Sequence, residues 1–228
     1  MRTILLLVLV MTINFQKSHA NNENRVDRKS SLMVQRSRYV VEMSEDSIAR
    51  KMSLDKLKAL ATQNNSEAYN ALGILYLYGK GLPKDTLKAF DMFKKSAELG
   101  LKDGMCNIGK LYREGKGGVE RNYTEAFKYY KMAADAGHHL ATYSLARSYY
   151  RGEGVEKNFD IAYPLYKKAA SFNIPVAKFR VGTCTFSGKG VVQDKEKGIA
   201  IVKEVYNEGL TKAERFFKYN KIPYDKKQ

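Results

Sequence analysis

The chain is 228 residues long and carries a formal net charge of +16, from 40 Lys and Arg against 24 Asp and Glu. That length suffices for one sizeable domain, and the charge favours anionic partners such as acidic proteins, lipid headgroups, anionic glycans or nucleic acid. Two cysteines and three histidines form no C-x-x-C, H-E-x-x-H or calcium-loop pattern, so we predict neither a metal site nor a cofactor.

Residues 1–20 have the pattern of a secretory signal peptide. Arg2 supplies the positive start, residues 4–10 the apolar run, and Ser-His-Ala at 18–20 a small-x-small cleavage site. The apolar run is too short to span a bilayer, and the alternative of an uncleaved anchor lacks a stop-transfer pattern. Cleavage would remove Arg2 and Lys17 and lower the charge from +16 to +14. We therefore predict export to the periplasm or the medium, where nucleic acid is not the expected partner.

The segment that follows, residues 21–43, is predicted to be a mobile basic lead-in. It begins without apolar periodicity, and residues 21–38 carry five cations against two anions. From about Ser44 onwards, apolar residues recur at spacings of three and four, which predicts a helix. Leu57 and Ala61 stand one repeat length before two packing positions of the first full repeat. Residues 44–65 are therefore predicted to be a capping half-repeat.

A glycine-rich signature then occurs four times at a nearly fixed interval. Its small residue falls at Gly73, Gly109, Ala146 and Gly182, at steps of 36, 37 and 36 residues. Self-similarity at this period predicts an array of helix hairpins, each of which buries its apolar face against its neighbours. We predict an all-α fold with four repeats over residues 66–209, divided as 66–100, 101–137, 138–173 and 174–209.

Each repeat has three predicted helix boundaries. A G-x-G pair ends the first helix, beginning at Gly79, Gly115, Gly152 and Gly188. An Asp or Asn then caps the start of the second helix, at Asp85, Asn122, Asn158 and Asp194. The second helix stops at a residue suited to the left-handed conformation, at Gly100, Gly137, Asn173 and Gly209.

Residues 210–228 are predicted to be a C-terminal capping helix with a basic tail. Ala213 to Tyr219 resembles another first helix without its partner, and residues 212–228 carry six cations against two anions. An alternative function follows from the charged ends of the mature chain. Residues 21–38 and 212–228 could hold the protein on an anionic envelope or membrane surface, through attraction that added salt would weaken.

The repeated pattern A-x-x-x-L-G-x-x-Y-x-x-G-x-G-V-x-(K/R)-(D/N)-x-x-x-A-x-x-(F/Y)-x-K-A-A-x-x-G resembles the Sel-one-like repeat family, relatives of tetratricopeptide repeats. The resemblance covers about residues 66–209. It implies a right-handed α-solenoid of helix pairs that serves as a monomeric, non-catalytic protein-interaction scaffold. Exported members are common in bacteria and are linked with host-cell entry, signalling and envelope functions.

The resemblance also places ligands on the concave face that the first helices line. The residues at those positions are Asn70, Ile74, Leu77, Tyr78, Cys106, Lys110, Arg113, Tyr143, Arg147, Tyr150, Arg151, Phe179, Thr183 and Phe186. This mixture of cations and aromatic rings predicts an acidic, partly apolar protein partner. The alternatives are a solvated helix face for the cations and packing between repeats for the aromatic rings.

One enzyme alternative rests on Ser53-Leu54-Asp55-Lys56, which matches the S-x-x-K motif of β-lactam hydrolases. A β-lactam or cell-wall hydrolase would use Ser53 as its nucleophile. No S-D-N or K-T-G accompanies the motif, and we expect it on the capping helix, outside any cleft.

The remaining candidates for chemistry are a cysteine pair and a histidine pair. Cys106 and Cys184 lie on first helices two repeats apart, beyond the Cα separation that a disulfide allows, so we predict no bridge within one chain. A bridge between chains stays open. His138 and His139 are adjacent, so on a helix they point about 100° apart and cannot hold one metal ion from the same face.

Overall fold

The computed structural model describes residues 27–224 as helices joined by short loops, and this part of the chain contains no strand. Residues 1–26, which include the predicted signal peptide and the start of the predicted lead-in, and residues 225–228 lie outside the described residues. None of the described helices is long and apolar enough to cross a bilayer. The helices are α1 (27–43), α2 (Ser47–Thr62), α3 (Ser66–Tyr78), α4 (Thr86–Glu98), α5 (Lys102–Glu114), α6 (Tyr123–Asp135), α7 (His139–Arg151), α8 (Phe159–Ala170), α9 (Pro175–Ser187), α10 (Lys195–Asn207) and α11 (Ala213–Asn220).

The chain divides into two compact units, Met1–Met92 and Phe93–Gln228. In the C-terminal unit, each first helix packs on the second helix of its own repeat, as α5 does on α6, α7 on α8 and α9 on α10. The second helix of one repeat also packs on the first helix of the next, as α6 does on α7 and α8 on α9. The predicted all-α repeat fold is confirmed.

The N-terminal unit begins with a helix that the sequence analysis missed. Residues 27–43 were assigned to a mobile lead-in, and that assignment is wrong, because they form α1. Val34, Ser37 and Val41 are spaced by three and four residues and are buried. The charged residues between them hid this spacing in the sequence. α1 and α2 therefore form a complete hairpin where a half-repeat was expected.

The prediction that α2 belongs to the repeat pattern agrees with its packing. Leu57 and Ala61 are buried together with Leu54 and the α1 valines in one apolar cluster. The helix is followed by Asn64, which has a φ of 58° and stands 36 residues before Gly100, the end of the next second helix. An asparagine in the left-handed conformation therefore ends this hairpin as a glycine ends the next.

The loop between the two helices of a repeat has the same hydrogen bonds in all four repeats. The N–H of the capping residue donates to a carbonyl near the end of the first helix at 2.9 Å, in the pairs Asp85–Tyr76, Asn122–Tyr112, Asn158–Tyr149 and Asp194–Thr185. The capping side chain accepts the N–H of the third residue after it, from Lys88, Glu125, Ile161 and Lys197. All four predicted N-caps are confirmed.

The second glycine of the G-x-G pair has a role that positive φ alone does not explain. A Cβ on Gly154 would collide with the backbone carbonyl of Tyr123, and a Cβ on Gly190 with that of Phe159. Tyr123 and Phe159 each begin the second helix of the preceding repeat. Glycine is required there because the loop of one repeat rests directly on the backbone of the previous one.

Candidate partner-binding surface

Most of the predicted binding positions lie on first helices of the C-terminal unit. We call the surface of its first helices, α5, α7, α9 and α11, the first-helix face. The predicted residues of the N-terminal unit lie on α3. Asn70 is buried, and its assignment to a binding surface is therefore wrong; it lies among the packed positions Ala68, Ala71 and Leu72. Ile74 is half-buried, and Tyr78 is 56 % exposed.

Phe179, on α9, is also a packing residue and not a binding residue. It is buried with Val202 and Val205 of α10 and with Phe217 of α11. Phe179 was predicted to lie on the surface because the repeat pattern does not show that α11 covers it. Phe186, the residue before the last of α9, stays half-buried with its ring 5.1 Å from that of Phe216.

The arginines of α7 are paired with an acid inside the protein. Arg147 Nη2 donates to both carboxylate oxygens of Glu153, at 3.1 and 2.8 Å. Arg151 Nη1 lies 3.5 Å from the same carboxylate, whose side chain is 14 % exposed. Glu153 occupies the middle of a G-x-G pair where the other three repeats have lysine. Much of the charge predicted for this helix is therefore neutralised locally.

The cations at the end of α5 and in the loop after it also lie next to an acidic side chain. Arg113 Nη2 donates to Glu114 at 3.2 Å, and Lys116 Nζ donates to the same side chain at 2.8 Å. Burial opposes ionisation of Glu114, yet the hydrogen bond from Lys116 and the charges of Lys110 and Arg113 hold its pKa below the ordinary value. This part of the predicted surface is an internal ion-pair network.

The predicted aromatic residues of α7 pack against the second helix of their own repeat. The Tyr143 and Tyr150 rings lie 5.7 and 6.1 Å from that of Tyr166, which is buried on α8. Lys189 Nζ donates to the Tyr150 hydroxyl at 3.1 Å. Tyr143 and Tyr150 remain half-buried, so they contribute to the core and are still partly exposed to solvent.

The structure adds cations that the sequence analysis did not select. The Arg180 guanidinium lies 5.7 Å from the Tyr150 ring centre, and Lys212 and Arg215 are exposed at the start of α11. Two signals could have found them. Arg180 precedes Thr183 by three residues and so shares its helix face. Arg215 lies 36 residues after Phe179, at the same phase of the repeat.

The cysteines and histidines offer no reactive centre within the described residues. Cys106 and Cys184 are free thiols, as predicted for one chain, and burial raises the pKa of Cys106 to about 12 and that of Cys184 to about 11. Both therefore stay protonated near neutral pH. His138 caps α7 by accepting the Ala141 N–H on Nδ1 at 3.0 Å. Among residues 27–224, no group of three or more His, Cys, Asp or Glu could hold a metal ion.

The S-x-x-K segment lies in a different environment from the one expected. Ser53 and Lys56 both line a groove between α1 and α2, beside Leu32 and Arg36, so the expectation that the motif lies outside any cleft is wrong. Within the described part of the chain, no hydrogen bond joins the Ser53 hydroxyl to the Lys56 ammonium. The hydrolase alternative stays a prediction.

The family model of the Sel1 repeat, the Sel-one-like repeat, matches residues 66–101, 102–138, 139–171 and 175–201. These four matches cover more than half of the chain. The protein belongs to the Sel1 repeat family.

Two curated relatives are similar over part of this chain. The ERAD-associated E3 ubiquitin-protein ligase component HRD3B of Arabidopsis thaliana is 36% identical over 99 residues, which are 43% of this chain and 15% of the relative. Cytochrome c oxidase assembly factor 7A of Xenopus laevis is 34% identical over 102 residues, 42% of this chain and 44% of the relative. The chain thus spans less than half the length of either relative.

Two solved structures have a similar fold. A protective antigen of uropathogenic Escherichia coli strains with an SLR fold has a TM-score of 0.70 at 26% identity, over 84% of this chain and 40% of its own. A Sel1 repeat protein from Oxalobacter formigenes has a TM-score of 0.69 at 25% identity, over 78% of this chain and 72% of its own. Sel1 repeat proteins act as protein-interaction scaffolds and are typically non-catalytic.

Proposed function

We propose that this protein is exported and works as a non-catalytic scaffold that binds an acidic segment of a partner protein on the first-helix face of the C-terminal unit. The observation that carries the proposal is the composition of this face. Tyr150 and the exposed Arg151 lie at the end of α7, and Arg180 adds a further cation from α9 beside the Tyr150 ring. Arginine and tyrosine together are the side chains most often found at the energetic centre of protein interfaces.

The net charge supports an acidic partner. At +16, or +14 after loss of residues 1–20, the protein attracts negatively charged surfaces and repels basic ones. The curated relatives support a role in assemblies, because their names describe a ligase component and an assembly factor. Membership of a repeat family supports a binding role over a catalytic one, although the fold alone does not choose the partner.

Export is supported by the order of features in residues 1–20. The test is the mass of the protein isolated from its native host. We expect a chain that begins at Asn21 in the envelope or secreted fraction. A full-length chain confined to the cytoplasm would contradict export and leave the binding proposal intact.

Site-specific photo-crosslinking tests the binding face. A benzoylphenylalanine in place of Arg151 should form an adduct with an acidic protein of the host's envelope or secreted fraction, because the Arg151 side chain is 51% exposed on this face. The matched control is the same replacement of Lys168, which is exposed on the second helix α8. Equal adducts at both positions, or an adduct at Lys168 alone, would refute the assigned face.

A further inference from the structure

We infer that the carboxylates of the acidic partner are bound by one cluster of four cations, Arg151, Arg180, Lys212 and Arg215. The inference rests on the proposed function and names the residues that bind the carboxylates of the partner. Three of the four were not selected from the sequence, and they lie towards the C-terminal end of the first-helix face. We call this set the C-terminal cation cluster.

Aromatic contacts bring the elements of the cluster together. The Phe216 ring of α11 lies 5.1 Å from Phe186 and 6.4 Å from Phe179, and these contacts hold α11 against α9. The Arg180 guanidinium, on α9, reaches the Tyr150 ring of α7 at 5.7 Å. The cations of three successive first helices therefore lie beside aromatic rings that contact one another or a neighbouring cation.

The charges of the cluster act on one another. Partial burial of the otherwise exposed Lys212 and the charges of Arg180, Arg151 and Arg215 lower the pKa of Lys212. Within the described part of the chain, no carboxylate is among the groups that shift this pKa. Mutual repulsion of this kind is relieved when an anion binds among the cations, because the anion is attracted to all of them at once.

Internal acids leave this cluster largely unneutralised. Arg180, Lys212 and Arg215 form no ion pair with any residue between 27 and 224. Arg151 shares the Glu153 carboxylate, at 3.5 Å, with the more closely bound Arg147 at 2.8 Å. Arg113 of α5 differs, because Glu114 lies 3.2 Å from it and also 2.8 Å from Lys116 in the loop that follows α5. An incoming carboxylate therefore meets fewer competitors at the C-terminal cation cluster.

The surroundings favour the carboxylates of a peptide over a free ion. Tyr150 and Phe216 are half-buried at the cluster, so the exposed part of each side chain can contact the methylene groups of Glu side chains. The Arg180 guanidinium donates no hydrogen bond to any described residue, and its terminal nitrogens, unlike the buried Nε, therefore keep donor capacity beside these rings. Arginine binds a carboxylate through two parallel hydrogen bonds, which gives the site geometric selectivity as well as charge.

The test uses a fluorescein-labelled hexaglutamate peptide and the folded full-length mature protein at physiological salt, where screening suppresses distant charges. The variant Arg180→Gln/Lys212→Gln removes two cations of the cluster. The control, Lys157→Gln/Lys168→Gln, removes two exposed cations that lie elsewhere and leaves the same net charge. We expect about a tenfold loss of affinity in the cluster variant and less than about a twofold loss in the control. Hexaglutamine should bind neither protein.

Two further measurements keep the inference testable if Arg180→Gln impairs folding. Arg215 is exposed, so Arg215→Gln should leave the thermal midpoint unchanged and still weaken hexaglutamate binding by about threefold. The pKa of Lys212, followed by NMR of its ε-carbon, should rise when the peptide binds, because carboxylates favour the charged ammonium.

Equal losses in the cluster and control variants would overturn the inference, as would an unchanged Lys212 pKa in the peptide-bound protein. Displacement of hexaglutamate by equimolar inorganic phosphate would also overturn it, because the cluster would then be a phosphate site. Crosslinking at Arg151 with unaltered capture by the Arg180→Gln/Lys212→Gln variant would reject the inference and retain the proposed function. Peptide binding at the cluster without any crosslinked partner would support the inference and reject the proposed function.

Discussion

The two helices of each repeat begin in different ways, and the difference separates what builds the fold from what varies on it. Second helices begin identically, because Asp85, Asn122, Asn158 and Asp194 each cap the helix and close the same loop. The N-cap residues of the first helices differ: they are Asn65, Leu101, His138 and Ile174. Of these, only Asn65 and His138 accept a capping hydrogen bond through their side chains.

The surfaces follow the same division. The loops that contain Gly154 and Gly190 contact the backbone of the preceding repeat, which requires glycine at these two positions. First-helix faces carry Arg113 with its acid, Arg147 with its acid, and Arg180 without an acid partner between residues 27 and 224. The constant parts of the repeat therefore hold the array together, while the variable parts give each repeat its own surface charge.

The largest expected loss of stability comes from a substitution in a loop that joins the two helices of a repeat. Gly154→Ala would place a Cβ against the Tyr123 carbonyl at a φ of 75°, and we expect it to lower the free energy of unfolding by roughly 3 kcal/mol or more. The matched control is Gly137→Ala, which has a φ of 77° and no atom within 4 Å of the added Cβ. It should lose about 1–2 kcal/mol, the cost of the left-handed conformation alone. Urea denaturation measures both, and equal losses would show that the contact between repeats is unimportant.

A smaller effect on stability is expected from removing a tyrosine hydroxyl at the same position of two repeats. Tyr130 and Tyr166 are both buried, but Tyr130 is hydrogen-bonded to Arg113, whereas the Tyr166 hydroxyl has no partner among the described residues. We expect Tyr130→Phe to cost about 1 kcal/mol and Tyr166→Phe to be neutral or stabilising by up to about 1 kcal/mol. Thermal unfolding of the two variants gives the comparison. A loss in Tyr166→Phe as large as that in Tyr130→Phe would mean that its hydroxyl is satisfied.

The smallest effect concerns the variable start of α7. Burial, together with the charges of Lys102 and His139, lowers the pKa of His138 below its ordinary 6.5, although Asp103 opposes the shift. The unfolded chain therefore binds the proton first as the pH falls. Stability from this group is complete above about pH 6.5 and is lost below it, until the folded protein is protonated too.

The variant His138→Asn keeps a capping oxygen and removes the titration. We expect the wild-type protein to lose more stability than this variant between about pH 7.5 and 5.5, measured by urea denaturation at each pH. Parallel pH profiles for the two proteins would show that His138 does not contribute to the dependence.

Local backbone chemistry explains which features were predictable. Asn173 was identified as a helix end although the other repeats have glycine there, and its φ is 56°. Such positions depend on a few neighbouring residues and are visible in any one repeat. The helix α1 was missed because Val34 and Val41 are separated by charged residues, and their burial requires α2 to cover them. Burial of Asn70 and Phe179 was missed for the same kind of reason, since it depends on neighbouring elements.

The repeat length, the helix boundaries and the family follow from the amino-acid order alone, because each depends on short-range rules that recur every 36 or 37 residues. The pairing of the cations does not follow from it and became visible only in the packed molecule. Glu153 neutralises Arg147 across a loop, whereas α11 brings Lys212 and Arg215 beside Arg180 from more than thirty residues away. Charge pairing depends on distances of a few ångströms between side chains, and the packing of successive helices sets those distances.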